Sequence, residues 1–270
     1  MKPEVTVLMS VFNGSSTVAS SVESILNQTF KNFEFIIIND GSTDETSDIL
    51  NRFAKADSRI NLFEQKNLGL TKSLNNGVNI ANGKYIARQD ADDLSKPQRL
   101  ERQLFLFQNN PSIALVGSNS EDHYDSLGAS SEWGFYSDEE LKSIVYLQTP
   151  FPHSSAMVRT DALRAVGGYN EDFKTSQDAD LWMRIASKHM ISMCPEALIE
   201  RHIHPNSISS KKHFRQCIDS FNARRRSGKV NLPRCICILI RQLAVGSIPQ
   251  ATALTLKRFK KKLTGRHAEP

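Results

Sequence analysis

Four short runs of apolar, β-rich residues alternate with stretches of helical spacing in the first ninety residues. Val5–Phe12 (VTVLMSVF) and Phe33–Asn39 (FEFIIIN) are too continuously apolar for half-exposed strands and read as strands covered on both faces. Arg59–Glu64 and Tyr85–Arg88 are the third and fourth. Between them, Thr17–Gln28 carries Val18, Val22, Ile25 and Leu26 at helical spacing. A second helix follows the turn Asp40–Asp44, from about Glu45 to Ala54. A third opens at Asn67-Leu68-Gly69, puts Leu70, Leu74, Val78 and Ala81 on one face, and ends at Gly83. This rhythm predicts an α/β fold of βαβ units with right-handed crossovers and a mostly parallel, Rossmann-like central sheet. Ligands of such open sheets sit beyond the carboxyl ends of the strands. The polar clusters Ser10–Ser16, Asp40–Asp44 and Asp90–Asp93 all fall there, which predicts a nucleotide-type site.

Tyr85–Asp93 (YIARQDADD) begins as a strand and ends in three carboxylates within four residues. On an extended chain, Asp90 and Asp92 project to one side. Like charges held that close resist ionisation, and a divalent cation relieves the repulsion. Mg²⁺ favours one or two carboxylates, with substrate phosphates completing its shell. The local alternative is an acidic turn that caps the next helix.

Beyond Pro97 the spacing predicts a helix at Gln98–Gln108 and a strand at Ile113–Gly117, then a polar, irregular segment from Ser118 to Trp133. A short helix at Asp138–Leu147 precedes the stiff loop Pro150–His153 and a strand at Ala156–Arg159. Thr160 is placed as the N-cap of a helix that Gly167-Gly168 stops. A helix from Thr175 to Lys188 carries Gln177, Asp178 and Asp180 at its start, and strands are expected at Ile191–Met193 and Leu198–Ile203. The four cysteines form neither a metal-like CxxC pair nor a disulfide framework, so a reducing, cytoplasmic location is expected. Neither an apolar signal segment nor a run of about 20 apolar residues is present.

Seven motifs stand in one order: SVFNG (Ser10–Gly14), NDGSTD (Asn39–Asp44), NLGLTKSLNNGV (Asn67–Val78), YIARQDADD (Tyr85–Asp93), KPQRLERQ (Lys96–Gln103), VGGYNEDF (Val166–Phe173) and QDADLWMRIA (Gln177–Ala186). In this the chain resembles the inverting glycosyltransferases of family 2, with the GT-A fold, most of all the bacterial members that build surface polysaccharides. The resemblance implies a hexosyltransferase-type enzyme that moves a sugar from a nucleotide-sugar donor, UDP-linked, to a saccharide or lipid-linked acceptor, with Mg²⁺ or Mn²⁺. The Val11–Asn13 loop and Asp40 would hold nucleobase and ribose, Asp40 accepting from an imide N–H. Asn39 stands where many relatives have a first Asp. Asp90 would face ribose or metal water, and Asp92 would ligate the metal directly. Asp93 is a third carboxylate, or an N-cap. Asp178 matches the family's general base, here preceded by Gln177 in place of Glu. Asp180 is the runner-up base; it points about 200° away on the helix and suits the helix dipole better. His204 matches a histidine that approaches diphosphate or metal, His202 replaces an Arg, and Arg201 is the alternative source of that charge. Lys72 would approach base or phosphate. His153, Gln177 and Trp182 are the acceptor-side candidates, and Trp133 is a platform or core residue.

The resemblance predicts a catalytic domain over residues 1–210, with a nucleotide-binding half at 1–117 and an acceptor half at 118–210. Residues 211–270 are a basic, amphipathic helical extension, suited to the membrane surface, with packing on the domain or a homodimer as the alternatives. Cys235-x-Cys237 in this apolar context reads as buried thiols. A sugar-1-phosphate nucleotidyltransferase would need a Gly-rich basic loop after the first strand, and Ser10–Ser16 has one Gly and no Lys or Arg. A silent scaffold would not need Asp90, Asp92 and Asp178. A nucleic-acid binder would need aromatics interleaved in the basic tail.

Overall fold

The computed structural model describes residues 2–124, 129–132, 134–203 and 212–246. The βαβ alternation is present: β1 (Val5–Val11), α1 (Val18–Leu26), β2 (Phe33–Asn39), α2 (Thr46–Ala56), β3 (Ile60–Glu64), α3 (Leu70–Ile80) and β4 (Tyr85–Asp90). Then follow β5 (Asp93–Ser95), α4 (Arg99–Asn109), β6 (Ile113–Tyr124), β7 (Ala129–Glu132), α5 (Asp138–Ile144), β8 (Met157–Arg159), α6 (Thr160–Ala165), α7 (Gln177–Ala186) and β9 (Met190–Ile203). Two more helices, α8 (His213–Ser227) and α9 (Leu232–Gly246), complete the described chain.

The strands lie in the order β3-β2-β1-β4-β8-β6-β9-β5, with β7 paired to β6. β1, β2, β3 and β4 are parallel, β8 runs antiparallel between β4 and β6, and β9 is parallel to β6. β5 directly follows β4 in sequence yet pairs with β9 at the far end of this path. The sheet therefore curls back on itself and brings the ends of β6 and β9 round to the carboxyl end of β4.

Alternation along β1 divides the core into two layers. Val7 and Met9 face Val18, Val22 and Ile25 of α1 and Leu100, Leu104 and Phe107 of α4. Leu8 faces the opposite layer, with Leu74 and Val78 of α3 and Leu181, Trp182 and Ile185 of α7. At Gly77 of α3 an added Cβ would lie 2.2 Å from Leu8 Cδ1, so helix and strand approach more closely than a side chain permits.

Several local expectations differ from what the fold shows. Ser118–Tyr124 is not irregular but continues β6, because its polar side chains find partners inside: Ser120 Oγ donates to Asp122 Oδ1 at 2.8 Å. The two strands expected between Ile191 and Ile203 are one bulged strand, β9. Thr160 lies inside α6 and donates its hydroxyl to the Gly83 carbonyl at 2.7 Å. β4 ends at Asp90 and Ala91-Asp92 form a turn, so Asp90 and Asp92 do not share one extended face. Asp93 is not an N-cap; it is a buried residue of β5, and Gln98 precedes α4.

Candidate active site

The carboxyl ends of β1, β2 and β4 meet at one rim. Asn13 adopts a left-handed conformation (φ 51°) and its Oδ1 accepts from the Thr43 amide at 2.8 Å. Gly14 and Ser15 amides donate to Thr46 Oγ1 (2.9 Å) and Asp44 Oδ2 (3.1 Å), which locks the loop after β1 to the loop after β2. Burial pushes the Asp44 carboxyl up, but hydrogen bonds from Thr46 and Ser15 outweigh it and hold the group down at about 2. Val11 contributes its carbonyl, which accepts from the Asp40 amide at 2.8 Å. Asn39 shapes the turn by accepting from the Ser42 amide at 3.2 Å.

Asp40 is buried and anchors the next loop. Oδ1 accepts from Gln65 Nε2 (2.7 Å) and the Leu68 amide (2.9 Å), and Oδ2 from the Gly69 amide (2.8 Å). A carboxylate offers about four acceptor positions, so about one remains. Next in chain to these anchors, Phe12 (50% exposed) and Leu68 (46%) turn apolar surface to solvent. Phe12 is not among the residues the motifs single out, although an aromatic residue closing a buried strand is itself a signal.

Beneath the rim lies a buried polar layer. Arg88 is buried, pairs with Asp90 and donates to the Leu8 carbonyl at 3.2 Å. Burial pushes the Asp90 carboxyl up, but nearby positive charge, Arg88 first and then Arg201 and Arg99, outweighs it, and Asp90 stays below the usual carboxylate range. Asp93 moves the other way: burial first, then the Asp90 and Asp92 charges, raise it well above that range, while Ser154 Oγ donates to it. Arg201 grips Asp122 bidentately at 2.9 and 3.2 Å, so the charge expected near a diphosphate is engaged with β6. His202 is exposed, its ring 5.5 Å from that of His123. Lys72 sits on an exposed helix face, Nζ 4.0 Å from Glu171.

The acceptor half adds a second cluster. His153 Nε2 lies 2.8 Å from the Tyr169 hydroxyl, and its ring is edge-on to Trp182 at 5.9 Å. Burial, with Arg88 nearby, lowers His153 to about 3 against the opposing pull of Asp90, so the ring is neutral. Asn75 of α3 pins the Tyr169 segment, donating to the Tyr169 carbonyl (2.9 Å) and accepting from its amide (2.8 Å). Trp182 is 1% exposed and packs on Phe151, which makes it a core residue rather than an open platform.

Asp178 opens α7, partly buried. Burial raises its carboxyl above the ordinary range; hydrogen bonds from the Ala179 and Asp178 amides oppose this, and the Asp90 charge adds to it. Asp180 is buried and paired with Arg184 at 2.7 Å, so it cannot serve as a base. Gln177 Oε1 is buried and has no hydrogen-bond partner among the described residues.

Among the described residues no group of three or more His, Cys, Asp or Glu side chains is arranged to hold a metal ion by itself. Asp92 is exposed at the turn, and Asp90 has one oxygen on Arg88. These oxygen donors suit a hard cation held by one or two carboxylates and completed by substrate phosphates. The expectations for His204 and Trp133 lie outside the described residues.

The model of the family described as "Glycosyl transferase family 2" matches residues 6–167. The putative glycosyltransferase EpsE of Bacillus subtilis is 40% identical over 186 residues, which are 67% of this chain and 66% of EpsE. The O-antigen biosynthesis glycosyltransferase WbnJ of Escherichia coli is 30% identical over 213 residues, 75% of this chain and 81% of that one. Among solved structures, S. aureus TarS 1–349 in complex with UDP-GlcNAc superposes with a TM-score of 0.68 at 16% identity, over 89% of this chain and 71% of TarS 1–349. The mannosyltransferase PcManGT of Pyrobaculum calidifontis, in complex with GDP-Man and Mn²⁺, gives 0.67 at 18% identity, over 97% of this chain and 81% of that one. The fold is thus GT-A, and with more than half its length matched by the family model the chain belongs to glycosyl transferase family 2.

Proposed function

We propose that the protein is a metal-dependent, inverting transferase that moves a sugar from a UDP-linked donor to a saccharide or lipid-linked acceptor during surface-polysaccharide assembly. The observation that carries this reading is the contrast between two carboxylates within reach of each other's charge: Asp90 is held ionised, whereas Asp178 is raised. A group that stays charged suits the donor end; one with raised basicity suits proton abstraction. The acceptor oxygen attacks the anomeric carbon from the face opposite the diphosphate. Its proton passes to Asp178, and the bond to the diphosphate oxygen breaks with both electrons leaving on the nucleotide.

Asp92, with His204, is assigned to Mg²⁺ or Mn²⁺, which when bound neutralises the departing charge. Phe12 and Leu68 offer apolar faces to the base, Val11 and Asn13 hold the wall beneath it, and the open acceptor position of Asp40 takes the uracil imide N–H. Lys72 serves the phosphate rim. Gln177 Oε1 and the His153–Tyr169 pair face the acceptor side; an unpaired buried acceptor costs about 1–3 kcal/mol, which a substrate hydroxyl relieves. Support for the donor and metal comes from the nucleotide sugars and Mn²⁺ named for TarS and PcManGT, and support for the pathway from WbnJ.

No described helix is long and apolar enough to cross a membrane. Contact with the membrane surface is assigned to α9, whose Leu232, Ile236 and Ile240 are exposed along one line. Calorimetric titration with UDP and GDP, with and without Mn²⁺, followed by a panel of nucleotide sugars scored for nucleotide release, tests the donor. Metal-dependent UDP binding is expected; no nucleoside diphosphate binding in Mn²⁺ or Mg²⁺ would sink the reading.

A further inference from the structure

The helix α8 falls in the stretch expected to be a separate extension, yet it holds the turn that presents Asp178. Asp219 of α8 is 3% exposed. Its Oδ2 accepts from both the amide (3.1 Å) and the hydroxyl (2.8 Å) of Thr175, and its Oδ1 accepts from Arg215 Nε at 2.9 Å. The neighbouring Ser176 donates its hydroxyl to the Gln216 carbonyl, also on α8, at 3.1 Å. Ser176 has φ 54° and ψ 23°, and it is the residue from which α7 starts, with no side-chain cap hydrogen bond of its own. A left-handed backbone at an ordinary L-residue is strained and persists only where its surroundings over-determine it. Here the over-determination comes from α8. One turn further along α7, Ala179 and Met183 pack with Ala223 of α8 and with Phe173, which ties the helix body to the same support. Arg224 adds a fixed point by donating to the Leu147 carbonyl at 2.9 Å.

We propose that Asp219 is a positioning residue for Asp178: its buried carboxylate locks Thr175 and Ser176 in the left-handed turn that sets where α7 begins. This rests on Asp178 being the base. Without the lock, Ser176 relaxes to an ordinary backbone conformation and the first turn of α7, in which Asp178 is the second residue, rotates or unwinds. A displacement of about 1 Å at a reacting group costs on the order of 10²-fold in rate. The donor loops on β1, β2 and β4 share no hydrogen bond with Asp219.

The test compares Asp219→Ala, Asp219→Asn and Thr175→Val in the full chain. The readouts are UDP affinity in Mn²⁺ by calorimetry, kcat on the nucleotide sugar turned over fastest in the donor panel, and amide hydrogen exchange. For Asp219→Ala a loss of roughly 10- to 100-fold in kcat is expected. UDP affinity should stay within about twofold, and faster exchange should be confined to residues 175–181. Asp219→Asn keeps an oxygen for Thr175 and should recover most of the rate; Thr175→Val should fall between. If Asp219→Ala fails to fold, the other two variants decide. The proposal is overturned by an undiminished kcat, by a loss matched in UDP affinity, or by Asp219→Asn being as poor as Asp219→Ala. Asp178→Asn run in parallel separates the layers. If it transfers normally, the base assignment falls and this proposal with it. If it is dead while Asp219→Ala is fully active, the lock alone is wrong.

Discussion

Asp178 and Asp90 have the same side chain and opposite surroundings, and this decides what each can do. Three arginines, Arg88, Arg201 and Arg99, outweigh burial at Asp90, whereas at Asp178 burial is opposed only by local amides and by Arg201. Asp178→Asn should therefore bind UDP as the wild type does and lose roughly 10²–10⁴-fold in transfer, as removal of a general base does. The sign on stability is also set. A carboxyl raised in the folded state is penalised when ionised, so above its unfolded pKa the charge destabilises, and the neutral variant should melt at the same temperature or higher at pH 7. The acid limb of the wild-type rate should fall at higher pH than the ordinary aspartate value of about 3.9, because the base must be deprotonated to work. A limb at or below that value, or an active Asp178→Asn, would place the base elsewhere. Asp178 and Asp90 were legible as candidates from local motifs. Their opposite shifts were not, since these depend on Arg88, Arg99 and Arg201, which the fold gathers from β4, α4 and β9.

At the scale of elements, periodicity located what is continuous in sequence and missed what is closed by distant pairing. Phe33–Asn39 was read with both ends correct because every second residue of β2 packs into one of two apolar layers. At Asp93 the sequence leaves a third carboxylate and an N-cap both open, because nothing local announces that β9 returns to pair Arg201 with it. The Asp219–Thr175 contact spans 44 residues and leaves no periodic trace. The junction of β4, β5, α4 and the start of β8 depends on Arg99, fully buried and without a carboxylate of its own. Arg99 donates to Gln103 (3.2 Å), Gln89 (3.0 Å) and Ser95 (2.9 Å), and to the carbonyls of Arg88 (2.6 Å) and Ala156 (3.3 Å). Arg99→Met fits the volume but strands these acceptors in the interior. It should cost about 3 kcal/mol or more in urea unfolding. A loss under about 1 kcal/mol would mean that the acceptors find other partners and that Arg99 is not the joint.

Across the whole molecule, positive charge is segregated to the C-terminal end, and that end also carries an exposed apolar line. Twelve of the 34 Lys and Arg residues, but one of the 29 Asp and Glu, follow Asp219; residues 1–219 carry 22 basic and 28 acidic side chains. Within that basic end, α9 packs on α8, where His213 lies 3.1 Å from the Gln242 carbonyl, and Cys235 is buried. The opposite line of α9 exposes Leu232 (54%), Ile236 (43%) and Ile240 (60%), spaced at i, i+4 and i+8, with Phe214 of α8 also exposed (66%). Solvent penalises such a line, and a second copy would bring like charge against like. An anionic bilayer satisfies both terms, taking the apolar line into its interface while each Lys or Arg near the surface adds about 1 kcal/mol. The full chain should therefore co-sediment with vesicles containing phosphatidylglycerol and only weakly with pure phosphatidylcholine. Binding should fall as salt screens the charges. Ile236→Glu with Ile240→Glu, on a face that touches no catalytic residue, should lose at least about tenfold in vesicle affinity with UDP binding intact. Equal sedimentation of wild type and variant, or none of the wild type, would refute membrane docking; a wild-type dimer in solution that the variant dissolves would assign this face to a second copy instead. The mechanical consequence joins the two ends of the chain. α9 rests on α8, and α8 holds the turn before Asp178 through Asp219, so a surface that seats α9 bears on the helix that presents the proposed base.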